Sequence, residues 1–149
     1  MRIFTVIDDN STELEYTSQQ LLALMPGSEV LKADSGETAL EMLFERRLVP
    51  SLIFLDFKMG NGMNGLQFLG HIREAHWLEG VPVAMVTEPV KDSELVTCYR
   101  MGICSFLSKP VQGFELREAI RDFAQPAMEL QAASIVRRSS SDWRYKSAA

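Results

Sequence analysis

Short apolar runs and longer amphipathic stretches take turns along this chain. Ile3, Phe4, Val6 and Ile7 form an apolar run that stops at Asp8-Asp9-Asn10-Ser11, the pattern of a buried strand delivering a polar loop. Leu14, Leu21, Leu22 and Met25 then fall at helical spacing, with Ser11 as the expected N-cap and Pro26-Gly27 as the stop. The unit recurs. Residues 30–33 read as a strand, and Ser35-Gly36 opens a helix carrying Ala39, Leu40, Leu43 and Phe44 on one face. Residues 52–55 are an all-apolar run ended by Asp56. Across a loop rich in glycine and asparagine (60–65), Leu66, Leu69, His71, Ile72 and Ala75 predict a third helix. A fourth strand over 81–86 ends at Thr87 and precedes a helix over 91–101 stopped by Gly102. A fifth strand over 103–107 precedes a helix over 114–123.

Five strand-helix units with near-continuous apolar strands predict an α/β fold, a parallel sheet covered by helices on both faces. In such a sheet the carboxyl ends of the strands share one edge, and ligands bind in the crevice where the strand order reverses. Asp8 and Asp9 end the first strand, Asp56 the third and Thr87 the fourth, while the fifth runs through Ser108 to Lys109-Pro110. Three carboxylates, a hydroxyl and an ammonium, distant in sequence, are thereby brought to one edge. Carboxylates gathered in one pocket repel and need a cation at neutral pH. An oxygen donor set without nearby His or Cys favours Mg²⁺, with Mn²⁺ as the alternative, over zinc. A hard cation beside a lysine and a hydroxyl suits a phosphoryl group, whose oxygens the positive charges neutralise.

Composition narrows the class. The chain has 149 residues, 46% hydrophobic and 23% charged, a size that buries a core without disulfides. Cys98 and Cys104 exclude a disulfide framework and read as reduced thiols of a cytoplasmic protein. No apolar run is long enough for a membrane span, and acidic residues come too early for a secretory signal. The formal charge of −5 argues against broad binding to nucleic acid. That charge is unevenly spread: residues 126–149 carry four basic and two acidic side chains, a local +2, which leaves −7 for residues 1–125. The folded domain is therefore expected over 1–125. Residues 126–149 are expected to form a helical extension through Met128, Ala132, Ile135 and Val136, or a flexible basic tail.

The segments IDDN (7–10), FLDFKM (54–59), VT (86–87) and SFLSKP (105–110) together resemble the receiver domain of two-component response regulators, over about residues 1–124. The resemblance implies a (βα)5 flavodoxin-like sheet of strand order 2-1-3-4-5. It implies that Asp56 accepts a phosphoryl group from a sensor histidine kinase or a histidine phosphotransfer protein. The implied Mg²⁺ ligands are Asp9, Asp8 through water, Asp56 and the backbone carbonyl of Lys58. Thr87 and Lys109 would sense the acyl phosphate, Phe106 stands at the switch aromatic position, and a cis peptide precedes Pro110. The activity implied is that of a signalling switch that catalyses only its own phosphorylation and dephosphorylation. Its readout would be protein contact with a downstream target or a C-terminal output domain, and the face of the fourth helix, fifth strand and fifth helix would serve output or homodimerisation. No output domain fits into the residues after 125, so the chain is expected to be a stand-alone receiver or a piece of a longer regulator.

Two departures from the pattern stand out. Glu88 follows Thr87 where the family has a very small residue, and Lys58 lies two residues after Asp56; a solvated pair pointing away is the plainer reading of the two, and a gate across the pocket mouth the alternative. The loop after Asp56 keeps Met59 but lacks the Pro that usually follows, and is one residue longer and richer in glycine; a harmless loop variant is the plainer reading, and mobility beside the metal site the alternative. Lys58 also speaks against an aspartyl phosphatase, which resembles this pattern but carries a second Asp there. Asp8-Asp9 speaks against a flavin carrier, whose phosphate they would repel. The surviving alternative is a phosphate-independent pseudo-receiver used for dimerisation or docking. His71, His76, Cys98, Cys104 and the methionines read as packing or surface residues, and the Arg137-Arg138 and Trp143–Tyr145 stretch as a solvated tail.

Overall fold

The computed structural model describes residues 1–60 and 62–130. In chain order these form β1 (Ile3–Ile7), α1 (Ser11–Leu24), β2 (Glu29–Ala33), α2 (Gly36–Arg46), β3 (Leu48–Val49), β4 (Leu52–Leu55), α3 (Gly65–Glu74), a 3-10 turn (His76–Leu78), β5 (Val83–Thr87), α4 (Asp92–Arg100), β6 (Ser105–Ser108), α5 (Gly113–Phe123) and β7 (Met128–Glu129). Five strands make one parallel sheet in the order β2-β1-β4-β5-β6. With the short β3 set aside, this is the expected order 2-1-3-4-5.

Strand parity divides the core in two. Ile3, Ile7, Ile53, Leu55, Val83 and Met85 face α2 and α3 with Leu40, Leu43, Phe68 and Ile72. Phe4, Val6, Leu52, Phe54, Ala84 and Val86 pack on the other face with Leu21, Leu116 and Ile120 from α1 and α5. Successive strand side chains point to opposite faces, so a strand covered on both sides must be apolar at every position. That requirement is why these runs are continuous.

Several boundaries differ from the sequence expectation. Asn10, not Ser11, caps α1: its side chain accepts the Glu13 N–H at 3.0 Å, while Ser11 is the first helical residue. Leu22 faces solvent rather than the core. β5 starts at Val83 because Pro82 has no N–H for the ladder and contributes only its carbonyl, which accepts from Ile53 N at 3.0 Å. β6 starts at Ser105, because Gly102 turns with φ +88° and Ile103 N donates back to Cys98 O at the end of α4. The Arg73 guanidinium donates to the carbonyls of Met101, Gly102, Glu79 and Val81, tying these turns together.

The expected helix through Met128 is corrected. Met128 and Glu129 form an antiparallel strand against Leu48–Val49, Leu130 N donates to Arg47 O at 2.8 Å, and Arg46 bridges Glu29 and Glu129. Pro126 removes an N–H that a continuing helix requires, which frees the chain to pair with this small edge. Ala132, Ile135, Val136, Arg137, Arg138 and Trp143–Tyr145 lie outside the described residues.

Ser51, fully buried between β3 and β4, closes the sheet's lower end. Its hydroxyl accepts from Ile3 N at 3.0 Å, its N–H donates to Ile3 O, and its carbonyl accepts from Gln125 N. Ser51→Ala leaves the Ile3 N–H without a partner and is expected to cost about 1–3 kcal/mol, read as a lower urea midpoint at unchanged slope.

Candidate functional site

The carboxyl ends of β1, β4, β5 and β6 meet at one edge because β1 and β4 are neighbours and β5 and β6 follow in register. Ile7 stands beside Leu55, Leu55 beside Met85, and Thr87 beside Ser108. Asp8, Asp9 and Asp56 therefore converge, with one oxygen of each lying within 4.8 Å of the others. Backbone geometry fixes them. Asp8 N donates to Ala33 O, Asp56 N donates to Ile7 O, and the side chains of Asp8 and Asp56 accept from Asn10 N and Lys58 N respectively.

Lys109 enters this cluster from the end of β6, after the bond from its own N–H to Thr87 O at 3.0 Å. Its ammonium, only 8% exposed, contacts Asp8 Oδ2 at 2.9 Å, Asp56 Oδ2 at 3.2 Å, and Glu13 Oε2. The Lys109-Pro110 peptide is cis. Burial opposes the ammonium's charge, but the hydrogen bonds to Glu13 and Asp8 and the attraction of Asp56 outweigh it and hold the pKa above its ordinary value. Thr87 is fully buried, and its hydroxyl has no hydrogen-bond partner among the described residues. An unpaired buried hydroxyl beside an anionic pocket is a donor in waiting. Phe106 lies on β6 opposite Met85, half-buried against the α2–α3 side of the core.

Burial pushes the Asp8 carboxyl up from 3.8 to about 6; the neighbouring Asp56 charge adds to this, while hydrogen bonds from Lys109 and Asn10 oppose it. Moving an ionisation that far corresponds to roughly 3 kcal/mol, at about 1.4 kcal/mol per tenfold. A carboxyl raised on folding contributes stability in full below its unfolded value and loses it as pH climbs through the folded value. Without metal, the protein is therefore expected to lose stability between about pH 4 and pH 6 relative to Asp8→Asn. At neutral pH the variant should be more stable by about 1–2 kcal/mol, since Lys109 loses one ionic partner in exchange. Urea unfolding across a pH series checks both the sign and the window.

The gate, the lesser of the two readings of Lys58 and Glu88, is not formed among the described residues. Lys58 reaches the loop after β5, but its ammonium donates to the Pro89 carbonyl at 3.0 Å, and Glu88 stands exposed with no ion pair to Lys58 among the described residues. In the loop after Asp56, Gly60 N donates to Asp9 Oδ2 at 2.6 Å, Met63 N to the Glu37 carboxylate, and Gly65 N to Phe57 O. Met59 and Met63 are buried. Glu37 and Glu13 both escaped the sequence reading. The available signal for Glu13 was an acidic residue in the first helical turn after the Asp8-Asp9 strand end, a placement that dipole arguments alone make unremarkable.

All the donors in the cluster are carboxylate oxygens, a set that fits a hard divalent cation and offers nothing to a soft one. Among the described residues, no helix is long and apolar enough to cross a membrane.

Comparison with known proteins agrees with this arrangement. The response regulator receiver domain matches residues 4–121. A chemotaxis protein CheY homolog of Campylobacter jejuni is 30% identical over 117 residues, covering 78% of this chain and 88% of the relative. The chemotaxis protein CheY of Pseudomonas aeruginosa is 30% identical over 115 residues, covering 77% and 90%. Among solved structures, the bacteriophytochrome response regulator RtBRR is similar with a TM-score of 0.72 at 25% identity, over 99% of this chain and 92% of that one. The Vibrio cholerae chemotaxis protein CheY4, at 23% identity and a TM-score of 0.73 over 83% and 98%, supports the fold. The matched segment runs through every strand end that carries a site residue, and the chain belongs to the response regulator receiver domains of two-component signalling.

Proposed function

We propose that Asp56 is the phosphoacceptor of a phosphorylation-dependent switch. The observation that carries this reading is the meeting of Asp8, Asp9 and Asp56 with the Lys109 ammonium, which touches two of them. One Asp56 oxygen is held by Lys58 N–H and the other by Lys109, so the carboxylate is oriented before a donor arrives. An Asp56 oxygen attacks the phosphorus of a partner's phosphohistidine. The new P–O bond forms as the P–N bond breaks, and the departing nitrogen keeps the electron pair and takes a proton from solvent. Lys109 offers fixed positive charge to the phosphoryl oxygens, and the unpartnered Thr87 hydroxyl offers a hydrogen bond. Asp8, Asp9, Asp56 and the Lys58 carbonyl would hold Mg²⁺ or Mn²⁺, which would further neutralise the transferring group.

Phosphorylation adds roughly −1.5 to −2 charges at Asp56. Thr87 turns toward them, and because its carbonyl holds Lys109 N–H, the ends of β5 and β6 move together. Phe106, half-buried beside them, repacks into the space vacated, a shift between two packings. The α4–β6–α5 face is the output or homodimer surface in this reading, and it carries the exposed side chains Val96, Tyr99 and Phe114.

The test is incubation with Mg²⁺ and acetyl phosphate, followed by intact-mass measurement. A gain of one phosphoryl group by the wild type, absent in Asp56→Asn, is expected. No gain at saturating donor, together with no spectral change on adding beryllofluoride, overturns the reading in favour of a phosphate-independent docking module.

A further inference from the structure

An ammonium has three N–H donors. In this protein the Lys109 ammonium hydrogen-bonds Glu13 and Asp56 and contacts Asp8 Oδ2 at 2.9 Å, so its donors and its charge are already shared among three carboxylates. Any anion that binds at Asp56 and draws on Lys109 competes with them. The three are not equivalent. The side chains of Asp8 and Asp56 are 7% and 4% exposed, and losing Lys109 would leave either of them as an uncompensated buried charge. The Glu13 side chain is 36% exposed and stands on the first turn of α1, at the mouth of a cavity of about 210 Å³ lined also by Tyr16, Val86, Pro110 and Val111. Water can take over from Lys109 at Glu13 at low cost, and Glu13 N–H stays held by the Asn10 cap whichever way the side chain turns.

Resting on the phosphoacceptor reading of Asp56, we infer that Glu13 is a positioning residue. Its carboxylate occupies the Lys109 donor that a phosphoryl group requires, competes with that group, and thereby sets how readily the site is filled. Glu13 acts through Lys109 and forms no bond to the phosphoryl group. It also adds one negative charge to the shell that an incoming dianion must approach. Release of Glu13 is thus coupled to occupancy of Asp56, and the first turn of α1 reports the change at the mouth of the cavity.

The experiment is titration of the Mg²⁺-loaded full chain with beryllofluoride, followed by fluorine NMR, on the wild type, Glu13→Gln, and Glu15→Gln as a control. Glu15 lies on the same helix and carries the same charge, but it pairs with the exposed Lys32 away from the site. Glu13→Gln is expected to bind beryllofluoride at least about fivefold more tightly than wild type, as losing a competing charge-assisted bond implies. Glu15→Gln should remain within about twofold, as a screened surface charge implies. Mg²⁺ affinity, measured alone, should not rise in Glu13→Gln, because Lys109 then leans more on Asp8 and Asp56. Wild type that binds beryllofluoride with the same or higher affinity than Glu13→Gln overturns the inference and leaves the phosphoacceptor reading standing. Failure of both wild type and Glu13→Gln to bind overturns that reading, and the inference with it. Equal tightening by Glu15→Gln also overturns it, since the effect would then belong to net charge and not to Lys109.

Discussion

Lys109→Ala is expected to destabilise the metal-free protein by about 3 kcal/mol at neutral pH, because removing one partner of a buried ionic cluster strands the others. Asp8 and Asp56 would remain buried beside each other with their shared ammonium gone. The size of the loss should depend on what else neutralises them. Saturating Mg²⁺ stabilises whichever state binds it and is expected to shrink the difference between wild type and variant. In an Asp56→Asn background one of the two buried charges is already absent, so the same substitution should cost less. Lowering the pH toward Asp8's raised value of about 6 and below should also shrink the cost, as that carboxyl takes up its proton. Chemical unfolding of the four proteins of this cycle, with and without Mg²⁺, provides the check; a cost independent of metal and of Asp56 would show that Lys109 acts by packing alone. On the phosphoacceptor reading, acetyl phosphate should still label Lys109→Ala, since Asp56 is intact, but the switch should fail to follow.

Gly65→Ala is the second large effect. A Cβ at this position would lie 2.8 Å from Asp56 O and 2.8 Å from Phe57 Cα. Both are backbone atoms, so no flexible side chain can yield, and overpacking of this kind costs about 1–3 kcal/mol or somewhat more. Relief requires the start of α3 to withdraw from the segment that bears Asp56. The Gly65 N–H bond to Phe57 O ties those same two segments together, so withdrawal loosens Asp56 as well. A lower thermal midpoint is expected together with beryllofluoride binding weakened more than tenfold, on the ground that misplacing a reacting group by about 1 Å costs on the order of 10²-fold. Lower stability with unchanged binding would show that the strain is absorbed within α3.

Most of the architecture was legible because the central strands β1, β4 and β5 are buried on both faces and each helix on one, and a polar residue of the candidate site punctuates the strand ends. Val6-Ile7-Asp8 and Phe54-Leu55-Asp56 announce both a buried strand and its exit into a site. The short elements were illegible. Leu48–Val49 and Met128–Glu129 are two residues each, too brief for any periodicity, and they pair across about eighty positions of chain. Asn10 and Ser11 are both acceptable caps, and only the backbone decides which one takes the Glu13 N–H.

Lys58 and Glu88 show the limit of charge reasoning at the site. Opposite charges at one pocket mouth left a pair open as the alternative, yet the Lys58 ammonium donates to the Pro89 carbonyl, since an exposed ion pair gains too little to dictate the rotamer. Glu13 shows the converse. Nothing local distinguishes it from any acidic residue in a first helical turn, and its importance arises only when α1 is laid against the end of β6.

By itself, then, the sequence determined the class of fold, the parallel sheet and the gathering of Asp8, Asp9, Asp56, Thr87 and Lys109 at one edge, because strand periodicity and chain connectivity are local properties that leave few topologies open, while the strand order came from the resemblance to receiver domains. Only the tertiary structure decided which carboxylates share the Lys109 ammonium, that Thr87 keeps an unpaired hydroxyl, and where the chain after Pro126 returns. These depend on side-chain reach and on burial across elements far apart in sequence, and burial sets both the cost of a charge and the partner it must find.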